Sequence, residues 1–165
     1  MRTLFSSGCV RHVFFCTPVN ASVAIPVHES ATTVVVGDLE KGLAVARRMM
    51  PDVPYALVHE PTRAATPPEL VAAVVAELDR GAMAVIPVLP LTDTVKHVDD
   101  HGRITGTRDR ACLRVTQSPL GARVEVLAAA KGPLPAGLGV PLTTVPGDPR
   151  GRRIRTAFDA ATVTA

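Results

Sequence analysis

Apolar runs alternate with amphipathic stretches along most of the chain, the pattern of βαβ units built on a mostly parallel sheet. Val10 to Thr17 and Thr33 to Val36 read as strands, and a helix from about Asp38 to Met50 follows and stops at Pro51. Ala56-Leu57-Val58 is a short buried strand. The clearest helix comes next: Leu70, Val71, Val74, Val75 and Leu78 recur at three- and four-residue spacing, and Gly81 ends the run. Thr66 as the cap, Pro67 at the first helical position and Glu69 three residues after the cap make a capping box. Met83 to Val88 is a further strand. Strand, helix and strand therefore follow in order, and a right-handed parallel crossover is expected.

Beyond Pro90 the periodicity changes. Thr92 to His97 and Arg103 to Gly106 are short alternating runs on either side of a polar turn, Asp99-Asp100-His101-Gly102, which predicts a hairpin or extended arm. Val124 to Ala130 reads as a short helix. Lys131 to Gly139, with Pro133 and Pro135, reads as a loop without regular structure. Leu142 to Val145 is a last strand, and Phe158 to Val163 a final helical turn or two. Asn20 to Ala31 is less regular. There is no internal repeat.

The chain has 165 residues, room for one domain, residues 1–165, that buries roughly 70% of its unfolded surface. Hydrophobic residues make up 47% and charged residues 20%, which excludes a disordered chain. No apolar run approaches the roughly 20 residues of a spanning helix. Arg11 and His12 cut the N-terminal stretch, and Asp38 and Glu40 close the Val34 to Val36 run. The opening apolar segment ends at Ser6-Ser7-Gly8, too soon for a secretory signal, so a cytoplasmic protein without membrane contact is expected. Cys9, Cys16 and Cys112 are odd in number and form no metal-ligand spacing, which suits reduced thiols.

The net charge of +3 rests almost wholly on arginine, Lys41, Lys96 and Lys131 being the only lysines. Arg150, Arg152, Arg153 and Arg155 sit together. Such a cluster suits phosphate or nucleic acid, but one Tyr, four Phe and no Trp leave almost no platform on which bases could stack, so no nucleic-acid partner is expected.

Polar residues gather just after the carboxyl ends of strands, where α/β folds place their sites. His59-Glu60-Pro61-Thr62-Arg63 follows one strand and Asp93-Thr94-Val95-Lys96 another. A carboxylate, an Arg, a hydroxyl and a Lys converging at one sheet edge suit a phosphorylated substrate. Composition alone fits equally well a Glu60 and Arg63 that merely cap or pair on the surface. His59, His97 and His101 lack HxxxH or HxH spacing to any Cys or carboxylate pair, and no metal site is expected from them. GxSxG, GxGxxG and GxxxxGK[ST] are all absent.

From Leu57 to Gly121 the sequence resembles the methylerythritol-phosphate cytidylyltransferases of the non-mevalonate isoprenoid pathway. That family's pattern is a strand ending in VHDAAR, a Pro-capped helix, a strand ending in P-V-x-D-T-V/I-K, a D-R segment and Q-T-P-Q. Here these positions read His59-Glu60-Pro61-Thr62-Arg63, Pro87 to Lys96, Asp109-Arg110 and Gln117-Ser118-Pro119-Leu120. The tail Gly147 to Thr156 resembles the family's G-D-x-x-N-I-K-I-T-T, and Gly37 to Val45 its G-G-x-x-R-x-x-S-V.

The resemblance implies a Rossmann-like nucleotidyltransferase fold, here incomplete, with a protruding β-arm at about residues 93–117 through which two copies form a homodimer. It implies transfer of CMP from CTP to a sugar-alcohol phosphate, with Mg²⁺ brought by the nucleotide. Carried over position by position, Glu60 stands for a substrate-contacting Asp and Arg63 keeps its Arg. Thr94 and Arg110 would hold the methylerythritol phosphate, Arg110 from across the dimer. Arg153 stands for a Lys near the phosphates. Gly37 and Ala44 fall on nucleotide-binding positions, with Ala44 where the family has Ser.

The chain as given lacks the family's first strand and its A-A-G-x-G-x-R…P-K loop, and Lys131 to Gly139 replaces the T-D-D/E-A segment. No catalytic residue is therefore assigned. Met1-Arg2-Thr3-Leu4 falls in register with an internal H-A-V-R-T-L of such sequences. The expectation is a degenerate member with weak or lost activity, a pseudoenzyme, or else a non-catalytic dimerising or regulatory paralogue. Exposed sheet neighbours would make it dimeric or aggregation-prone.

Overall fold

Eleven residues of amphipathic sequence between Asp38 and Met50 fold as a helix in the computed structural model, which describes residues 4, 6–16, 35–36 and 38–163. Asn20 to Ala31, Gly37 and the Met1 to Thr3 start lie outside the described residues. The two expected N-terminal strands are present as a short parallel pair, β1 (Phe15–Cys16) and β2 (Val35–Val36). Helix α1 (Leu39–Met49) follows, with the Asp38 carboxylate capping it by accepting the Lys41 N–H at 2.8 Å.

The main sheet is built on β3 (Tyr55–Val58), β4 (Ala84–Pro90), β7 (Arg114–Thr116), β8 (Leu120–Arg123) and β9 (Thr143–Pro146). Between β3 and β4 lies α2 (Pro68–Asp79), as the periodicity predicts. β3 and β4 run in the same direction but do not touch. β8 lies between them, antiparallel to both, and β9 pairs with β4 in parallel on its other edge. The expected crossover is thus present with an extra strand inserted, and the co-directional strands β3, β4 and β9 frame the α/β fold.

β7 and β8 are two halves of one strand along the same edge of β4. Val88 pairs with Thr116 and Val85 with Gly121, so two extra residues are accommodated in the β7–β8 strand over that interval. This break at Gln117–Pro119 is a bulge of two extra residues, a device that re-aims side chains beside a site.

Successive β4 residues bury against opposite layers, as a strand covered on both faces must. Ala84 and Ile86 pack with Leu120, Ala122, Val126, Leu127 and Leu138. Val85 packs with Leu70, Val74, Leu78 and Val145 from the other side. Helix α3 (Val124–Ala129) covers the first face and α2 the second. The final helix, α4, spans Ala157–Val163.

Several expectations need correction. Thr66 does not cap α2: its hydroxyl donates to the Arg63 carbonyl at 2.8 Å, Pro67 is the extended cap residue and Pro68 the first helical one. Thr66 is almost wholly buried, and its hydroxyl is satisfied by closing the preceding turn. Lys131 to Gly139 is not free of regular structure, for Ala136–Leu138 forms a 3₁₀ turn that brings Leu138 into the core. The arm protrudes only as β5 (Val95–Val98) and β6 (Ile104–Arg108), because residues 114–116 return to the sheet as β7. Among the described residues β5 pairs with β6 alone, and Lys96, expected at the sheet edge, donates across the hairpin to Thr107 Oγ1 at 2.7 Å.

Gly121 sits where β8 passes under α2. A Cβ there would lie 2.5 Å from Val74 Cγ1 and 3.0 Å from both Leu57 Cδ2 and Leu78 Cδ1. Gly121→Ala is expected to lower unfolding stability by about 1–3 kcal/mol through overpacking. Gly106→Ala, at an open arm position, is expected to leave the urea midpoint unchanged. Equal midpoints for the two variants would refute the packing account.

Candidate functional site

The loop that leaves β3 carries Glu60 and turns at once, because the Arg63 N–H donates to the Glu60 carbonyl at 3.0 Å and Thr66 N–H to the Arg63 carbonyl at 3.1 Å. This places Arg63 inward. Its side chain is 6% exposed and its guanidinium is divided three ways. Nη1 donates to the Gly151 carbonyl at 2.7 Å, Nη2 to the Thr116 carbonyl at 3.1 Å and Nε to Glu60 Oε2 at 3.2 Å. Three chain segments far apart in sequence meet on that one planar group, whose rigid fork suits such use.

Glu60 faces a second guanidinium. Arg153 Nε approaches Oε2 at 2.6 Å and Nη2 approaches Oε1 at 2.8 Å, a bidentate pair. The Arg153 bond, followed by the charge of Arg63, holds the Glu60 carboxyl below its ordinary pKa, so the group is ionised. Arg153 reaches it because the Ile154 N–H donates to the Thr62 carbonyl at 2.7 Å, which lays the C-terminal segment along the loop.

The bulge supplies the floor. The Glu60 N–H donates to Ser118 Oγ at 3.3 Å, and that hydroxyl lies 3.1 Å from His59 Nδ1. Burial, the largest influence, pushes the His59 pKa down and favours the neutral ring, whose Nδ1 shares a hydrogen bond with the Ser118 hydroxyl. Gln117 is buried and clasps Asp148 from both sides, Nε2 donating to its carbonyl at 2.8 Å and Oε1 accepting its N–H at 2.9 Å. Gly147 must be glycine here, since a Cβ would lie 2.3 Å from Gln117 Oε1.

Of the residues singled out from the sequence, Glu60, Arg63 and Arg153 come together. Thr94 and Arg110 do not join them within one chain. Both are exposed at the base of the arm, where Arg110 Nη1 donates to the Thr92 carbonyl. Ala44 is exposed on α1, beside a separate cleft of about 520 Å³ formed with Leu43, Arg47, Leu127 and Leu134. Gly37 lies outside the described residues. The alternative of a mere surface pair fails for Arg63, which is buried and structural.

Sequence reasoning quoted Gln117 and Ser118 without giving them a role, and it missed Arg114. The available signal was two polar residues before a proline, set between apolar positions. A cleft of about 650 Å³ opens beside Arg63 and Arg153 and is lined also by Arg114, Arg152 and Arg155. Among the described residues no three His, Cys, Asp or Glu side chains gather as metal ligands, and both Glu60 oxygens already face guanidiniums. The protein groups here therefore do not form a cage for Mg²⁺. Among the described residues, no helix is long and apolar enough to cross a membrane.

The sequence profile of 2-C-methyl-D-erythritol 4-phosphate cytidylyltransferase matches residues 11–136. A relative of that name from Saccharopolyspora erythraea is 41% identical over 98% of this chain and 81% of its own. One from Nocardia farcinica is 41% identical over 94% of this chain and 74% of its own. The crystal structure of the Thermus thermophilus enzyme of that name superposes with a TM-score of 0.73 at 24% identity, over 98% of this chain and 84% of that one. At that identity the superposition establishes a shared fold.

Two consequences are measurable. Arg63→Met is expected to destabilise the chain by about 1–3 kcal/mol for each carbonyl left without its donor. Arg80→Met, at an exposed pair with Glu77, should cost less than about 1 kcal/mol. Urea unfolding of both variants checks this, and similar losses would contradict a structural Arg63.

The pH dependence has a fixed sign. His59 and Glu60 both have folded pKa values below their ordinary ones, so the unfolded chain takes up protons first and stability falls as pH falls. The His59 contribution is present above the ordinary histidine pKa and is lost as pH falls through the folded value. The Glu60 contribution persists until the carboxylate range. Glu60→Gln is expected to remove only the second loss, seen as a flatter acid limb in unfolding free energy against pH.

Proposed function

The chain belongs to the 2-C-methyl-D-erythritol 4-phosphate cytidylyltransferase family of isoprenoid biosynthesis, and from that premise we propose that it binds methylerythritol phosphate at the Glu60–Arg153 pair and transfers CMP to it from CTP. In that reaction a phosphate oxygen of the sugar-alcohol phosphate attacks the α-phosphorus of CTP, a P–O bond forms, and pyrophosphate departs.

The observation that carries this reading is the ionised Glu60 held between two guanidiniums at the mouth of a basic cleft. A carboxylate fixed in this way accepts hydrogen bonds from the polyol hydroxyls. Arg153 retains donors for the substrate phosphate. Arg63 acts as a positioning residue, since it fixes Glu60 and the Gly151 turn. Transfer of this kind depends on placed positive charge more than on proton transfer. Mg²⁺, brought by CTP, would supply charge screening on the nucleotide's phosphates.

Turnover in this reading is slow. Ala44 offers no hydroxyl to a nucleotide, and Arg153 is committed to Glu60 more firmly than a point-charge Lys would be. The proposal includes a homodimer through the arm, in which Thr94 and Arg110 reach the partner's site. Its support is apolar surface displayed on the hairpin, with Val98 58% and Ile104 67% exposed and adjacent in register.

Three measurements decide these points. Pyrophosphate release with CTP, Mg²⁺ and methylerythritol phosphate is expected to be slow but measurable. Ala44→Ser should raise it, and no release from either protein would overturn the transfer reading. Arg153→Ala should weaken methylerythritol phosphate binding by about tenfold, the loss of one charge-assisted contact. Ile104→Asp should shift sedimentation from dimer toward monomer at fixed concentration, whereas a wild-type monomer would remove the arm from the proposal.

A further inference from the structure

The basic cleft holds more positive charge than one sugar phosphate requires. Its five arginines come from three places: Arg63 from the β3 loop, Arg114 from β7, and Arg152, Arg153 and Arg155 from the C-terminal segment. Glu60 offsets one of the two charges on Arg63 and Arg153. The other three form no carboxylate ion pair among the described residues, although, after the hydrogen bonds from Arg155 and Thr156, the charge of Arg152 is near enough to help lower the Asp159 pKa.

Arg114 is fixed through Nη1, which donates to the Ala111 carbonyl at 2.7 Å and the Leu113 carbonyl at 2.8 Å, leaving Nε and Nη2 for another acceptor. Arg152 is tethered through Nη2 to Thr162 Oγ1. The Arg155 side chain has no hydrogen bond or ion pair among the described residues. Asp159, the carboxylate on the cleft wall, accepts the backbone N–H groups of Arg155 and Thr156, each at 2.9 Å, and pairs with none of the three guanidiniums. Arg150, by contrast, points away from the cleft lining and is satisfied by Asp148 at 2.8 Å.

Like charges gathered in a concave surface raise the local potential and draw in a counter-anion. We propose that the Arg114, Arg152 and Arg155 side of the cleft is a binding subsite for an oligophosphate, two or three linked phosphates, beyond the sugar-phosphate contacts at Glu60 and Arg153. Three guanidiniums from two separate segments exceed what a single phosphate can engage bidentately, while a linked chain of phosphates presents acceptors to all of them. The volume of about 650 Å³ is that of a small-molecule site. No aromatic side chain lines it, which disfavours stacked nucleic acid bases.

The test reads binding and not turnover, so it stands whether or not the chain transfers CMP. Wild-type chain, the double variant Arg152→Gln with Arg155→Gln, and Arg150→Gln are titrated calorimetrically with tripolyphosphate and with orthophosphate at matched ionic strength. Thermal midpoints confirm that the variants, all at exposed positions, remain folded. Tripolyphosphate should bind wild type at least about tenfold more tightly than orthophosphate, and the double variant should lose about tenfold in tripolyphosphate affinity. Arg150→Gln should bind as wild type does. Equal weakening by Arg150→Gln would reduce the effect to net charge and overturn the subsite. So would tripolyphosphate binding no tighter than orthophosphate, or a single-stranded oligonucleotide binding more tightly than tripolyphosphate with the same loss in the double variant.

Discussion

One buried guanidinium organises this site. Arg63 joins the loop after β3, the end of β7 and the Gly151 turn, three segments that the chain order separates by about fifty and then thirty-five residues. Taking a charge out of water is costly unless its donors are met, and here each arm of the fork finds an oxygen. The arrangement is therefore mutually dependent. Glu60 is aimed by Arg63, Arg153 is delivered by the segment that Arg63 anchors, and the ion pair between Glu60 and Arg153 closes the ring. Change in any one member is felt by the others, because Arg63 and Arg153 share the one Glu60 carboxylate.

The bulge at Gln117 to Pro119 is the second device, and it explains why the site lies where it does. Along a regular strand the side chains at 117 and 118 would alternate across the sheet. With two extra residues inserted, Gln117 turns to clasp Asp148 while Ser118 meets Glu60 and His59. Both bonds fix backbone rather than substrate. They give the flexible-looking loop and tail the rigidity that a binding constellation needs, since a site held by backbone contacts loses little entropy when a ligand arrives.

Periodicity made α1, α2, α3, β3, β4, β9 and the hairpin legible, because their apolar spacing or turn residues are strong local signals. β8 was invisible. Leu120-Gly121-Ala122-Arg123 neither alternates nor carries β-branched residues, and its place between β3 and β4 is decided by Gly121 allowing α2 to come close. The Thr66 capping box matched its motif and still failed, as the hydroxyl serves the Arg63 carbonyl instead. A cap motif records only local spacing, whereas the buried turn beneath it is set by tertiary contacts. Glu60, Arg63 and Arg153 were legible through the family pattern, but the structural use of three of the five Arg63 N–H donors was not, because the oxygens they meet lie far away in sequence.

Glu60 shows how the same residues can serve both stability and recognition. A carboxylate that faces two guanidiniums offsets one of their two positive charges, so the larger share of unbalanced charge in the cleft lies away from it, toward Arg114, Arg152 and Arg155. A polyol has no charge and gains from the ordered acceptor at Glu60. A phosphate gains from the donors that Arg153 retains and from the arginines beyond it. The cleft is thereby polarised along its length, one end suited to hydroxyls and the other to anions, and a substrate carrying both groups has a single favourable orientation. That polarity follows from which arginines are paired and which are not, and it needs no further residue to establish it.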